Sequence, residues 1–161
     1  MIAHIRKGIL ADLPIVLELI KELAEYERAL NEVTITLKEL EEDGFGEHPL
    51  YWFIVAEVDG EIVGMSFYFI RYSTWKGRFL FLEDFVVNES HRGKGIGSQL
   101  FEETVRIAQQ MRVNGIVWQV LDWNEPAINF YNKYEAQLDG EWLNGKLVKE
   151  QITNFRFNEN L

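Results

Sequence analysis

The sequence predicts a mixed α/β domain, and three observations carry that prediction. Apolar, β-branched and aromatic runs come first as a meander over 51–58, 61–72 and 78–87, and helical-period stretches then alternate with further strand-like runs. No repeat, low-complexity stretch or Pro/Gly/Ser-rich linker divides the chain. At 161 residues, against roughly 150 per domain, residues 1–161 are expected to form one domain.

The elements follow in order. Ile2 to Arg6 reads as a first strand. From Ala11 to Leu30, apolar residues at 13, 16, 17, 20 and 23 give the helical spacing, with Asp12 as a cap and Pro14 in the first turn. Position 27 lies on the same stripe seven residues after Ile20, yet it holds Glu27. A second helix is expected from Thr36 to Asp43, stopped by Gly44-Phe45-Gly46. Tyr51–Val58 and Glu61–Tyr72 flank Asp59-Gly60, a strong hairpin signal, and read as antiparallel strands. Arg78–Val87 is a further strand, Asn88–Gly97 a loop and Ser98–Val113 an amphipathic helix. A strand at Ile116–Asp122, a short helix at Glu125–Tyr134 and final strands within 138–157 complete the prediction.

Composition excludes several function classes. With no cysteine, the chain has no disulfide framework, no thiolate-held zinc or iron–sulfur cluster and no thiol catalysis, and His4, His48 and His91 are scattered. No metal site and no redox chemistry are expected. The N-terminal MIAHIRKGIL lacks the apolar core of a secretion signal, and no apolar run approaches the roughly 18 residues of a membrane span. A soluble, cytoplasmic protein is expected. A net charge of −10 and a pI near 4.8 argue against nucleic acid and for a cationic partner.

That charge is divided unevenly. From Glu22 to Glu47, nine acids (22, 25, 27, 32, 39, 41, 42, 43 and 47) face two bases, Arg28 and Lys38. From Arg71 to Lys94, five bases (71, 76, 78, 92 and 94) outnumber Glu83, Asp84 and Glu89. One segment suits a cation and the other an anion. Taken alone, an acidic run is usually a solvated helix face.

The turn between the strand at 78–87 and the following helix carries the strongest chemical signal. Gly93, Gly95 and Gly97 alternate within Arg92-Gly93-Lys94-Gly95-Ile96-Gly97-Ser98, baring backbone N–H groups at the positive end of a helix, which suits a phosphate. Arg92 and Lys94 add charge. The spacing is neither the dinucleotide G-x-G-x-x-G nor the P-loop. Glu83 and Asp84 interrupt the apolar strand before it, where carboxylates are costly unless paired or functional. Strand alternation sends them to opposite faces.

Residues 92–97 fit [QR]-x-x-G-x-[GA], and here the sequence resembles the GNAT N-acetyltransferases, whose turn binds the pyrophosphate of acetyl-CoA. Within that family, LIKELAEY (19–26), EDGFGEHP (42–49), LEDF (82–85), GIGS (95–98) and WNEPAINFY (123–131) resemble the spermidine/spermine (diamine) N-acetyltransferases and their thialysine-acetylating relatives. The likeness runs to about residue 136. It implies the GNAT fold, a mostly antiparallel mixed sheet of about six or seven strands flanked by about four helices, and acetyl-CoA as co-substrate. It also implies a homodimer.

The resemblance assigns roles residue by residue. It implies acetyl-CoA contacts at Phe85, Val86, Val87, Arg92, Gly93, Lys94, Gly95, Ile96, Gly97, Ser98, Asn124, Ala127 and Tyr131. Glu83 is implied in amine binding and proton removal through water, and Tyr131 as the acid that protonates the leaving thiolate. Tyr26, Glu27, Trp75, Glu83 and Asp84 are implied to line the amine channel, with Glu141-Trp142 as a further acid and aromatic pair. Read by themselves, Asp84 suits a structural acceptor, Tyr131 a core phenol and Asn124 an ordinary helix cap before Pro126. A carboxylate and aromatic lining suits a polycation. The resulting expectation is acetyl transfer to a polyamine or diamine by direct attack. A lysine-like acceptor such as thialysine is the alternative, and a non-catalytic CoA sensor is the alternative of another class. Two departures stand out: Glu135 precedes Ala136 where the family has Gly, and 137–148 is shorter than in the polyamine enzymes.

Overall fold

The structure, a computed structural model, describes residues 1–157. These fall into two compact units, the first Met1–Leu121 and the second beginning at Asp122.

The first unit is a sheet between two helical layers. Strands β1 (His4–Lys7), β2 (Trp52–Val58), β3 (Glu61–Ser73), β4 (Gly77–Val87) and β5 (Ile116–Trp118) lie in the order β1-β2-β3-β4-β5. All neighbours are antiparallel except β4 and β5, which run parallel. The β2–β3 turn is as expected: Asp59 and Gly60 take φ of 52° and 81°, the left-handed pair that a two-residue hairpin turn needs. Alternation along β2 divides the core. Phe53 and Val55 pack with Leu13, Val16 and Leu19 of α1 (Leu13–Tyr26) and Leu40 of α2 (Leu37–Phe45). Ile54 and Ala56 pack on the other side with Ile96 and Leu100 of α3 (Ile96–Met111).

Local chemistry sets the helix ends. Thr36 caps α2 by accepting from the Glu39 N–H, while Glu39 returns a carboxylate to the Thr36 N–H. Asp12 occupies the capping position of α1 but does not cap it. Its carboxylate instead accepts from the Ile9 N–H at 2.9 Å and takes both Nη groups of Arg6, at 2.7 and 2.9 Å. Arg6 also reaches Glu57 on β2. The expected cap is thus a part-buried clamp tying β1, β2 and the entry to α1 together.

The second unit holds α4 (Glu125–Asn132) and α5 (Lys149–Thr153). At the end of α4, Ala136 N–H bonds back to the Tyr131 carbonyl and Glu135 takes φ of 56°, so the glutamate occupies the left-handed position that favours glycine. The strands expected within 138–157 do not form among the described residues, so the sheet has five strands rather than six or seven. Asp139-Gly140 and Asn144-Gly145 are both turn formers, and the three residues between them are too few to build a ladder. Five α-helices, rather than about four, are present among the described residues.

The Arg6–Asp12 clamp sets a stability prediction. The Arg6 guanidinium holds the Asp12 carboxyl below the usual range, so its contribution is present above the ordinary pKa of about 4 and fades as pH falls through the lower, folded value. Asp12→Asn should lose about 2 kcal/mol at pH 7 in urea unfolding, with the gap closing in acid. A gap of the same size at low pH would remove the carboxylate charge as its cause.

Candidate active site

The ladder between β4 and β5 pairs Leu80, Phe81 and Leu82 with Ile116, Val117 and Trp118, and among the described residues it goes no further. At the same level β4 slips against β3. Tyr68 faces Leu82 and Phe67 faces Asp84, so Glu83 is the extra residue of a bulge. The simple alternation expected for Glu83 and Asp84 breaks here. Asp84 shares its register position with Phe67, a neighbour of the α1 and α2 core.

Three carboxyl groups meet at this point. Burial raises Asp84 to about 7, with Glu83 and Glu27 adding repulsion. Burial also raises Glu27, with Glu83 as the second cause, and raises Glu83. Glu83 keeps much of its surface in solvent and Asp84 does not, so desolvation acts most on Asp84. Glu27 comes from the end of α1, where its N–H bonds the Leu23 carbonyl at 2.9 Å. The polar residue that broke the apolar stripe therefore joins the two that broke the apolar strand. No base among the described residues is a cause of any of the three shifts. Such a cluster suits a positive charge beside it.

The glycine turn follows β4. Glu89–His91 forms a single helical turn of the tighter kind, then Gly93 and Gly95 take φ of 72° and 82°, and α3 starts at Ile96 with Gly95 as its N-terminal cap. A side chain at Gly93 or Gly95 would meet nothing within 4 Å, so the left-handed backbone, not space, requires glycine. Successive N–H groups at the start of a 16-residue helix are an arrangement that can cradle an anion. The two bases are already engaged. Lys94 donates to the Ser90 carbonyl at 2.8 Å, and Arg92 donates to the Val87 carbonyl at 2.9 Å.

The other expected residues lie elsewhere. Phe85, Val86 and Val87 complete β4, with Phe85 and Val87 on the α3 side and Val86 on the α1 side. Tyr26 ends α1, next to Glu27. Trp75 sits exposed in the β3–β4 turn, about 20 Å along β4 from Glu83, so the fold does not bring the two together. In the second unit, Asn124 caps α4 by accepting from the Ala127 N–H at 3.3 Å, and Tyr131 is buried on the same helix beside Phe130. Glu141 and Trp142 are exposed on the irregular segment after α4. Sequence reasoning missed Glu22 as an individual residue. It was one acid among nine, and only its position one helical turn before Tyr26 marks it.

Residues 16–135 match the acetyltransferase (GNAT) family. The chain belongs to that family and has its fold. It is therefore an N-acetyltransferase of the GNAT type, a class that uses acetyl-CoA as co-substrate. Among similar proteins, the thialysine N-epsilon-acetyltransferase of Bos taurus is 42% identical over 130 residues, 76% of each chain. The spermidine/spermine N(1)-acetyltransferase-like protein 1 of Homo sapiens is 33% identical over 97% of this chain, which spans 24% of that protein. Among solved structures, an integron cassette protein of V. cholerae superposes with a TM-score of 0.76 at 23% identity, over 95% of this chain and 96% of that one. That likeness concerns the fold. Among the described residues, no helix is long and apolar enough to cross a membrane.

The turn gives its own test. Gly95→Ala forces a left-handed backbone at about 1 kcal/mol, so the KM for acetyl-CoA should rise about fivefold with the far-ultraviolet spectrum unchanged. An unchanged KM would exclude the turn as the phosphate cradle.

Proposed function

We propose that the chain transfers the acetyl group of acetyl-CoA to a primary amine of a polyamine or diamine, of the spermidine, spermine or putrescine kind. The observation that carries this reading is the Glu27, Glu83 and Asp84 cluster, raised by burial and mutual repulsion with no base among the causes. An acceptor with several ammonium groups and no carboxylate relieves that repulsion. The relative at 33% identity whose name refers to spermidine and spermine supports it.

Chemistry assigns the steps. A polyamine nitrogen with a pKa of about 10 reaches the site as ammonium. It must lose a proton before it can attack the thioester carbonyl. Glu83, the bulge residue, accepts that proton through water, with Asp84 and Glu27 holding the remaining charge. The leaving thiolate takes a proton from Tyr131 on α4. The glycine turn at 92–98 holds the CoA phosphates, and Asn124 and Ala127 contact its pantetheine arm. Transfer is direct, since the chain has no cysteine to carry an acetyl group. Tyr26, Glu141 and Trp142 belong to the acceptor channel in this reading, which also makes the protein a cytoplasmic homodimer.

A second reading stands beside it. Transfer to a lysine-like amino acid such as thialysine is favoured by the 42% identity to the bovine enzyme. Its acceptor carries a carboxylate, which the acidic cluster opposes.

A thiol-release assay with spermidine, spermine, putrescine, lysine and thialysine separates the readings. Higher kcat/KM for the polyamines is expected, and a preference for thialysine would reverse the order. Absence of turnover with every amine would favour a CoA sensor. With the preferred amine, Glu83→Gln should lose most activity near pH 7 and regain it as pH rises toward the amine pKa, and a flat profile would remove Glu83 as proton acceptor. Tyr131→Phe should lower kcat about 100-fold with little change in acetyl-CoA affinity. An unaltered kcat would remove Tyr131 as the acid.

A further inference from the structure

Arg92 lies in the glycine turn, and its sequence position marks it for the CoA phosphates. Its side chain points to different work. The guanidinium sits 5.2 Å over the Tyr26 ring, Nη2 lies 3.5 Å from Glu22 Oε1, and Nε donates to the Val87 carbonyl at the end of β4. The same Glu22 oxygen accepts the Glu89 N–H at 2.9 Å. Two residues of the last turns of α1 are therefore fastened to the β4–α3 turn at three points.

An exposed ion pair of this length adds little stability: the two side chains are 40% and 35% exposed. Its value is in position. Tyr26 and Glu22 flank the stretch that ends in Glu27, and Glu27 stands in repulsive range of Glu83 and Asp84. That repulsion opposes the approach of the end of α1 to β4. Core packing of Leu19 and Leu23 holds the middle of the helix, and the Arg92 contacts hold its end. Arg92 also neutralises Glu22, while its cation is no cause of the shifts on Glu27, Glu83 or Asp84.

We propose that Arg92 and Glu22 are positioning residues that hold the end of α1, and Glu27 with it, against β4 beside Glu83 and Asp84, so that the phosphate turn fixes the geometry of the amine site. This rests on the acidic cluster being the acceptor site. A residue that served the phosphates alone would affect acetyl-CoA and not the amine.

Steady-state kinetics with acetyl-CoA and the better of spermidine and thialysine, on the full chain, test it. Glu22→Gln lies outside the turn and keeps side-chain size. It should raise the amine KM about tenfold and leave the acetyl-CoA KM within about twofold, and adding it to Arg92→Ala should raise the amine KM no further. An amine KM unchanged in Glu22→Gln, or an equal rise for acetyl-CoA, would overturn the proposal. A second readout needs no turnover, so failure of the acceptor assignment is seen separately. Carbon-detected NMR titration of the Asp84 carboxyl should show a lower midpoint in Arg92→Ala, because Glu27 moves away. Loss of the Arg92 charge by itself acts in the opposite direction. An unchanged or raised midpoint overturns the proposal even if no amine is acetylated.

Discussion

Three carboxyl groups, each raised by burial and set close enough for repulsion, are the constraint on which the candidate site depends. Asp84, raised to about 7 by burial, Glu83 and Glu27, is more comfortable in the unfolded chain at neutral pH. Its raised value favours folding in acid, and that contribution is lost as pH rises through about 7. A chain keeps such a liability where a ligand relieves it. The bulge in β4 brings Glu83 and Asp84 to one level, and the C-terminal end of α1 delivers Glu27 to it. The end of the β4–β5 ladder at Leu82 and Trp118 falls at the same level, so the acids stand where the sheet stops pairing on that side.

The opposite charge preference lies a few residues further along the same strand. After Val87 the backbone turns through left-handed Gly93 and Gly95 into α3, leaving bare N–H groups at the start of that helix. Lys94 donates to the turn and Arg92 reaches the neighbouring α1. One strand thus carries a carboxyl cluster at its bulge and bare backbone N–H groups beyond its end, a spacing that suits a positively charged acceptor and the phosphates of acetyl-CoA.

Local signals made much of this legible in the sequence. Asp59-Gly60 fixed the hairpin, glycine spacing marked the turn, and acids misplaced on apolar patterns at 27 and 83–84 marked the cluster. The bulge was not legible, because period-two reasoning has no term for an inserted residue, and it interrupts the alternation that would send Glu83 and Asp84 to opposite faces. Asp12 looked like a cap because capping residues are also good salt-bridge partners, and its partner Arg6 is a β1 residue whose approach only the sheet determines. The roles of Glu22 and Arg92 depend on packing between α1 and the turn, a contact between residues far apart in sequence. The strands expected after residue 137 rested on composition alone, and the two Gly-containing turns there outweighed it.

In the proposed site Glu27, Glu83 and Asp84 together receive a cation. Calorimetric binding of a bis-quaternary diammonium ion, which carries no titratable proton, tests it most directly when repeated near pH 7 in buffers of different ionisation enthalpy. Net proton release is expected, up to about half a proton as the raised Asp84 ionises, and it should disappear in Asp84→Asn. Binding with no proton release, or release that survives the substitution, would contradict it.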